Sequence, residues 1–508
     1  MSHPAQGAAA MMQRHRGMIT LTVMVASILQ ALDNTIANVA LPRMQGSLSA
    51  TYDQMTWVLT SYIVAAAIMT PLTGWLADRY GRKPLFLVSI VGFTAASALC
   101  GLAQSLDQIV LFRVLQGAFG AALIPMSQAV LFDAYPPRDH GRAMALWGLG
   151  VVLGPTVGPM LGGWLTDNYS WRWVFYINVP FGVLAVLGVL AYFPDTTHER
   201  KHFDFFGFAM LSVFVGALQV MLDRGPLRDW FNSTEIKIEA AVAALAFYLF
   251  ITHTLTARRP FLRLAMFRDR NFLTGNVLIF LVGIVLFATL ALLPPLLQNL
   301  LGYSVFQSGM VTSPRGLGTL IAMMVVGRIV GRLDVRLIIG TGLALTALSM
   351  WQMTRFSLQM DMSPIVWSGL IQGFGTGIVY VPMATLAFVT LPAGLRNEGT
   401  ALFNLVRNIG SSIGISAVQA LFTSNTQVMH ASLAAHITPF VFATHALGLY
   451  AGRAAEAALN SMITAQAAMI AYLDDFHLMM LMTLLSIPLL LFVRDARASA
   501  GAARVVAE

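Results

Sequence analysis

The chain has 508 residues, of which 57% are hydrophobic and only 11% are charged. Ordinary soluble domains carry about 25% charged residues, so this composition excludes a soluble globular protein and requires that the apolar surface face lipid. The single cysteine, Cys100, excludes an internal disulfide and a cysteine-based metal site, and the formal net charge is +8.

Long apolar segments recur along the whole chain. A helix needs about 20 apolar residues to cross a bilayer, and the sequence contains fourteen candidate segments. They lie near residues 18–41, 54–77, 84–103, 107–131, 142–164, 174–193, 204–222, 238–256, 272–297, 307–327, 336–356, 364–389, 399–421 and 469–493. Since none of them alternates with the two-residue period of a barrel strand, the sequence predicts an all-α integral membrane protein with fourteen transmembrane helices.

The first segment carries an acid well inside the predicted membrane. A carboxylate there is costly and is kept where it faces a cavity, a partner or a proton. Because burial favours the neutral form of a carboxylic acid, Asp33 is our candidate for reversible proton binding. The alternative is a structural acid that bonds to backbone near a helix end. The segment lacks a small-residue cleavage site, so we interpret it as a span and not as a signal peptide.

The loop after the second segment combines glycines with charges. It runs from Gly74 to Pro84, and a degenerate copy at 327–336 follows the tenth segment. Its candidate gating residues are Gly74, Asp78, Arg79, Gly81, Arg82 and Lys83. The alternative is that the charges of these residues only set the orientation of the protein in the membrane.

The repeated loop predicts two six-helix halves. Both copies lie between the second and third segments of a six-segment block, which places the halves at 1–200 and 265–495. An inserted helix pair then occupies 201–264, and a tail occupies 496–508. In transporters built from two such repeats, the substrate site lies between the halves near mid-membrane.

The fourth segment supplies a possible partner for the acid. At 1.5 Å per residue, Asp33 lies roughly 13 Å below the outer end of its segment and Arg113 roughly 9 Å below the outer end of its own. A guanidinium nearby would hold the carboxylate ionised. The alternative is an arginine that bonds to backbone carbonyls.

The fifth segment is dense in glycine and proline. The residues concerned are Gly150, Gly154, Pro155, Gly158, Pro159, Gly162 and Gly163. Small residues four apart let helices pack closely in lipid, and the prolines remove backbone hydrogen bonds and kink the helix. This pattern fits either a hinge or a rocking contact, and simple packing is the alternative.

Polar residues in other segments are candidates for a substrate cavity. They are Asn34, Asn38, Gln116, Arg315, Tyr380, Asn404 and Arg407. No acid in the second half pairs with its two arginines, and helix–helix polar bonding is the alternative role. Residues 422–468 are predicted to form a long, partly helical outer loop, whose histidine spacings do not suit a metal site.

The placement of Lys and Arg sets the topology. With both termini in the cytoplasm, 21 of the 31 Lys and Arg residues fall in cytoplasmic loops and tails, 7 in outer loops and 3 within spans. This asymmetry is the positive-inside pattern. We therefore interpret the net positive charge as a topology signal and predict no nucleic-acid partner.

Together these motifs resemble the major facilitator superfamily, in particular its fourteen-helix drug:proton antiporter branch, the EmrB/QacA-like family. The resemblance covers nearly the whole chain. It depends on the Asp33 segment, the Gly74–Pro84 loop, residues 113–117, the glycine–proline run at 150–163 and the outer run from Leu222 to Phe231. It implies the major facilitator fold, a loop that latches the two halves on the cytoplasmic side, and an antiporter role for the glycine–proline run.

We therefore expect a secondary active transporter of the inner membrane that exports amphiphilic, drug-like compounds in exchange for protons. No cofactor, metal or enzymatic activity is predicted. The resemblance also implies a periplasmic adaptor and an outer-membrane channel as possible partners. Two alternatives stay open at this point: a dedicated exporter of one metabolite or siderophore, and a channel or transport-inactive membrane scaffold.

Overall fold

The computed structural model describes residues 14–136, 139–194, 203–330, 333–436 and 453–493, and nearly all of them are helical. The helices are α1 (Arg16–Ser47), α2 (Tyr52–Tyr80), α3 (Arg82–Leu102), α4 (Leu106–Ala134), α5 (His140–Asn168), α6 (Trp173–Tyr192), α7 (Phe205–Arg224), α8 (Thr234–Thr256), α9 (Arg270–Pro295), α10 (Val305–Ile329), α11 (Val335–Met353), α12 (Ser363–Val389), α13 (Arg396–Ala435) and α14 (Arg453–Ser486).

Fourteen helices thus occupy the fourteen predicted segments. Thirteen of them, among the described residues, are long and apolar enough to cross a membrane by length and composition. The other is α13, which contains Asn404, Arg407, Asn408 and two serines in succession at 411–412. It packs against α2, α9 and α14, so protein covers many of its polar residues. A helix enclosed in this way does not need an apolar surface all round.

The last two helices are longer than predicted. α13 continues to Ala435 and α14 begins at Arg453, so helix occupies most of the stretch expected as an outer loop. At 1.5 Å per residue, the 40 residues of α13 span about 60 Å, twice the apolar thickness of a bilayer. Residues 437–452, with His445, and the predicted tail at 496–508 lie outside the described residues.

The helices form two bundles joined by an inserted pair. Helices α1–α6 make one bundle and α9–α14 the other, and they meet through α2 against α13 and α5 against α10. The inserted helices α7 and α8 pack on each other, and α7 also packs against α2 and α13. In that seam Ser412 of α13 donates a hydrogen bond to the Gln219 side chain of α7 at 2.8 Å.

The glycine run of α5 packs against α1. A Cβ atom added at Gly154 would lie 2.7 Å from the backbone of Ala31, and one added at Gly162 would lie 2.7 Å from Ile36. Gly158 faces Thr35 in the same way. The stripe therefore forms a contact inside the first bundle, beside the segment that carries Asp33.

Another face of α5 packs against the second bundle. A Cβ at Gly148 would lie 2.7 Å from the Met323 sulfur of α10, and Gly141 similarly faces Val330. Pro155 and Pro159 lie inside the helix without ending it. Helix α5 thus contacts both α1 and α10 at close range.

We expect Gly158→Leu to displace α1 and to lower stability. A leucine at this position would overlap Thr35, and overpacking of this kind costs about 1–3 kcal/mol. Gly163→Leu is the matched control, because the nearest atom to an added Cβ there is a Val39 methyl at 3.8 Å. Thermal unfolding of both purified variants checks this, and equal midpoints would show that the stripe tolerates side chains.

Candidate functional site

An ion pair lies sealed inside the first bundle. The Nη1 atom of Arg113 on α4 donates to Oδ2 of Asp33 on α1 at 2.6 Å. The side chains are 1% and 0% exposed. Asp33 and Arg113, which the sequence predicts to lie at similar depths, are therefore in direct contact. Water has no access to either side chain in this conformation.

Two amides complete the set of donors around the carboxylate. Gln116, one turn along α4, donates from Nε2 to Oδ1 of Asp33 at 2.8 Å, and Asn178 in the second turn of α6 donates to the same oxygen at 3.1 Å. Both side chains are fully buried. Gln116, predicted as a cavity residue, thus lies on the acid. Asn178 was missed, and the signal that could have found it is a lone amide in an apolar segment.

The guanidinium of Arg113 is held from other sides as well. Its Nε donates to the backbone carbonyl of Val58 on α2 at 2.9 Å, and Nη1 also donates to Oε1 of Gln116 at 2.8 Å. The ring of Tyr62 lies 4.1 Å from the guanidinium carbon. Helices α1, α2, α4 and α6 thus converge on one charged pair.

In this geometry, a proton and the guanidinium of Arg113 compete for the carboxylate of Asp33. An ionised carboxylate only accepts hydrogen bonds, and here it accepts three. A proton on Oδ2 would turn that oxygen into a donor facing the Arg113 donor. Proton uptake therefore requires that at least one contact of Asp33 break, which couples protonation to movement of the helices that carry the donors.

The second bundle contains an uncharged counterpart of this site. Helix α12 repeats the spacing of α4, with Gln372 in the place of Gln116. Gly369 stands in the place of Arg113. The Gln372 amide donates to the Thr289 hydroxyl of α9 at 3.1 Å. A hydroxyl therefore occupies the place of the carboxylate, and a glycine that of the guanidinium.

Two arginines nevertheless lie inside the second bundle, and neither pairs with an acid among the described residues. Arg315 of α10 is 7% exposed; its Nη2 donates to the Leu286 carbonyl at 3.2 Å, and its Nη1 has no partner. Arg407 of α13 donates to the Tyr380 hydroxyl at 3.1 Å, and its buried Nε has no partner. These guanidinium groups have unused donors that a bound molecule could satisfy.

The other predicted cavity residues fall into two groups. Asn404 of α13 donates to Oε1 of Gln128 on α4 at 2.8 Å, so it joins the two bundles directly. Tyr380 stacks near Trp147 of α5 with ring centres 6.4 Å apart. Asn34 and Asn38 remain exposed on α1.

The bundles are closed against each other at the end where α2 meets α3, which we call the basic end. A Cβ added at Gly74 would lie 3.0 Å from the Cα atom of Glu398 at the start of α13. Asn397 donates to Asp78 at 2.5 Å. Gly81 has a φ of 90°, a conformation that favours glycine, and makes the tight corner between α2 and α3.

Charges reinforce this closure. Arg82 pairs with Asp133 at the end of α4, and Arg396 of α13 lies 3.8 Å from the same carboxylate. Arg79 lies over the ring of Trp75 instead. Asp133 was not identified from the sequence, because an acid at a span end does not differ there from an ordinary loop acid.

A buried aromatic layer lies next to these charges. Phe132 of α4 contacts Phe388 of α12 with ring centres 5.2 Å apart, and Phe388 in turn contacts Phe403 of α13 at 5.3 Å. All three are at most 2% exposed. The layer blocks passage between the bundles toward the basic end.

Comparison with known proteins shows strong similarity across the chain. The profile of the Major Facilitator Superfamily matches residues 23–415. Multidrug export protein EmrB of Escherichia coli K12 is 39% identical over 425 residues, which cover 83% of each chain. Fatty acid resistance protein FarB of Neisseria gonorrhoeae is 37% identical over 429 residues, which cover 84% of this chain and 85% of FarB.

Solved structures share the fold. The human organic anion transporter MFSD10 aligns with a TM-score of 0.60 at 16% identity, over 92% of this chain and 99% of its own. The proton:xylose symporter XylE aligns with a TM-score of 0.57 at 13% identity, over 91% of this chain and 94% of its own. At these identities the likeness establishes the fold alone.

Removing the guanidinium should make Asp33 easier to protonate. In Arg113→Ala the ionised carboxylate loses the cation that pairs with it, so the acid form should be more abundant than in the unmodified protein under the same conditions. Infrared spectra report the carbonyl stretch of a protonated acid, with Asp33→Asn assigning the band. Arg315→Ala is the matched control, because it removes a buried guanidinium from the other bundle. An unchanged intensity of the Asp33 acid band in Arg113→Ala would contradict the pairing.

A side chain at Gly74 should open the basic end. Leucine there would overlap the backbone of Glu398 and force α2 away from α13. Spin labels on Tyr80→Cys and Gly394→Cys, in a Cys100→Ser background, would measure the separation. We expect longer distances in Gly74→Leu but not in Gly17→Leu, where an added Cβ has nothing within 4 Å. Identical distance distributions would exclude Gly74 as a closing contact.

Proposed function

The chain belongs to the Major Facilitator Superfamily, and we propose that it is a multidrug exporter of the inner membrane that expels amphiphilic compounds in exchange for protons. Its similarity to EmrB over 83% of both chains supports the multidrug assignment. Among the described residues, the many helices able to cross a membrane fit a multi-pass transporter. The coupling to protons is argued from the ion pair.

The observation that carries the coupling is the buried contact between Asp33 and Arg113 at 2.6 Å. A proton and the guanidinium compete for the same carboxylate oxygen. In the ionised state the three donors hold α1, α4 and α6 together; in the protonated state that attraction is weaker and the helices rearrange. Each turnover then carries a proton in when Asp33 is loaded from outside and unloaded toward the cytoplasm.

The gate consists of the Gly74–Pro84 loop and the start of α13. The contacts of Gly74 and Asp78 with α13 and the aromatic layer at Phe388 close the basic end, which the Lys and Arg distribution assigns to the cytoplasm. Substrate would leave toward the opposite side in this conformation. The opposite state requires that these contacts separate and that α5 rock on α10.

The substrate cavity is proposed to lie between the bundles. Arg407 and Tyr380 from the second bundle, with Asn34 and Asn38 from the first, offer polar groups along its walls. Unpaired guanidinium donors favour neutral or acidic amphiphiles over cationic ones. FarB is named for fatty acid resistance, which is compatible with such a cavity. Export of a single metabolite is the second candidate, and growth-inhibition profiling of a deletion strain separates the two.

A periplasmic adaptor and an outer-membrane channel are proposed as partners. The support is the length of α13 and α14, which extend beyond the bilayer thickness at the end opposite the basic one. His430 and Asn460 hydrogen-bond at 3.0 Å and so join the two extensions. Co-purification of an adaptor by the full-length chain, lost when these extensions are shortened, would support this partner.

Asp33→Asn should abolish proton-driven export while the protein stays folded in the membrane. The amide keeps the shape of the carboxylate but cannot bind and release a proton, whereas Asp33→Glu keeps a titrating group and should retain partial activity. Drug efflux at matched expression, together with proton release on adding drug to purified protein, measures the effect. Undiminished efflux by Asp33→Asn would refute the coupling, and a channel or scaffold would release no protons in either form.

A further inference from the structure

A second acid lies buried in the other bundle. Asp475 of α14 is 1% exposed, and neither of its carboxylate oxygens accepts a hydrogen bond from the residues that the structure describes. Its neighbour in sequence, Asp474, is exposed. Asp475 therefore differs both from a surface acid and from Asp33, whose oxygens accept three hydrogen bonds.

The surroundings of Asp475 are apolar. It shares the buried face of α14 with Tyr472, Phe476 and Met479. These belong to an apolar cluster that also includes Met353 of α11 and Leu292 of α9. The acid thus lies on a face covered by thioether, aromatic and aliphatic groups.

No charge on the packed helices compensates the acid. Helices α9, α11 and α13 pack against α14. The charged or titratable groups on α9, α11, α13 and residues 456–486 of α14 are Arg270, Arg336, Arg396, Glu398, Arg407, His430, Glu456, Tyr472, Asp474 and His477, and Arg355 follows the end of α11. In the part of the chain that the structure describes, none of them forms an ion pair or a hydrogen bond with Asp475. Arg355 lies over the Trp351 ring, and Arg407 donates to Tyr380.

An ionised carboxylate without donors is strongly disfavoured in such surroundings, so the group is expected to be neutral. A metal cation is a poor alternative occupant. Calcium and magnesium require several oxygen ligands, and the apolar cluster offers thioether and hydrocarbon groups instead. The chemistry therefore favours a proton as the ligand.

We propose that Asp475 is a second proton-binding site, occupied in this conformation, whose proton is exchanged during transport. The residue lies 11 positions before Ser486, about 17 Å along α14, and a 3-10 segment at Ile487–Phe492 continues the chain toward the basic end. Asp475 therefore lies toward the opposite end. Asp474 on the adjacent position is exposed, so separation of α14 from the helices that pack on its other face would open Asp475 to water there. This inference adds a site to the proposed function and leaves the role of Asp33 unchanged.

The protonated state is tested on the full-length protein in lipid nanodiscs. Infrared spectra near pH 7 should contain a carboxylic acid band that disappears in Asp475→Asn and persists in the matched control Asp474→Asn. Asp475→Glu should move the band without removing it, so the assignment survives if the asparagine variant folds poorly. Absence of any acid band assigned to residue 475 at and below pH 7 would overturn the proposal.

Proton exchange is tested by the substrate gradient that reconstituted protein sustains. Each coupled proton contributes about tenfold to that gradient per pH unit. We therefore expect Asp475→Asn to lower the sustained gradient about tenfold at a difference of one pH unit, and Asp474→Asn to leave it unchanged. An unchanged gradient in Asp475→Asn would overturn exchange at this site.

The proton-coupling role of Asp33 and the second proton-binding site at Asp475 can be refuted independently of each other. The infrared band requires neither substrate nor Asp33, so it can be measured in the Asp33→Asn background. A band at Asp475 together with undiminished efflux by Asp33→Asn would refute only the coupling role of Asp33.

Discussion

The structure depends on one requirement: two opposite charges placed inside a membrane must be satisfied by protein. Moving a single ion into a medium of low dielectric costs on the order of 20 kcal/mol in the idealised limit. The pair of Asp33 and Arg113 meets this cost only because α2 contributes the Val58 carbonyl and α6 contributes Asn178. The position of four helices is therefore tied to one carboxylate, and the glycines of α5 let another helix approach α1 directly behind it.

The two bundles have the same plan and different chemistry. Where α1 and α4 place an acid and an arginine, α9 and α12 place Thr289 and Gly369 around the equivalent glutamine. The second bundle has its own ionisable groups elsewhere, and no acid in the described ranges pairs with Arg315 or Arg407. In the proposed function, the bundle with the uncharged arrangement is free to adapt to substrates, whereas the bundle with the ion pair is constrained by the proton.

Hydropathy predicted the number of helices because the bilayer imposes a minimum length on each apolar segment. The depth of a residue in the membrane was also predictable, because the rise per residue of a helix is fixed. This placed Arg113 near the level of Asp33. The direction in which a side chain points around its helix axis was not predictable. The sequence does not say which way Gln116 points, and it contains no sign that Asn178 contacts Asp33. Asp475 lies six residues inside the predicted segment at 469–493, so the sequence marked it only as an acid near a span end. Alanine-rich sequence outside the bilayer continued as helix, and the acid became part of a packed face.

The net charge of the sealed pair has an electrical consequence. Asp33 and Arg113 together carry no net charge when the carboxylate is ionised, and one positive charge when it is protonated. The membrane potential therefore acts on the loaded pair and not on the empty one. Each elementary charge that crosses the full potential changes the free energy by about 2.3 kcal/mol per 100 mV. With the cell interior negative, the field pulls the loaded pair inward, so in the proposed exchange an energised membrane would drive the cycle even where the pH on its two sides is equal.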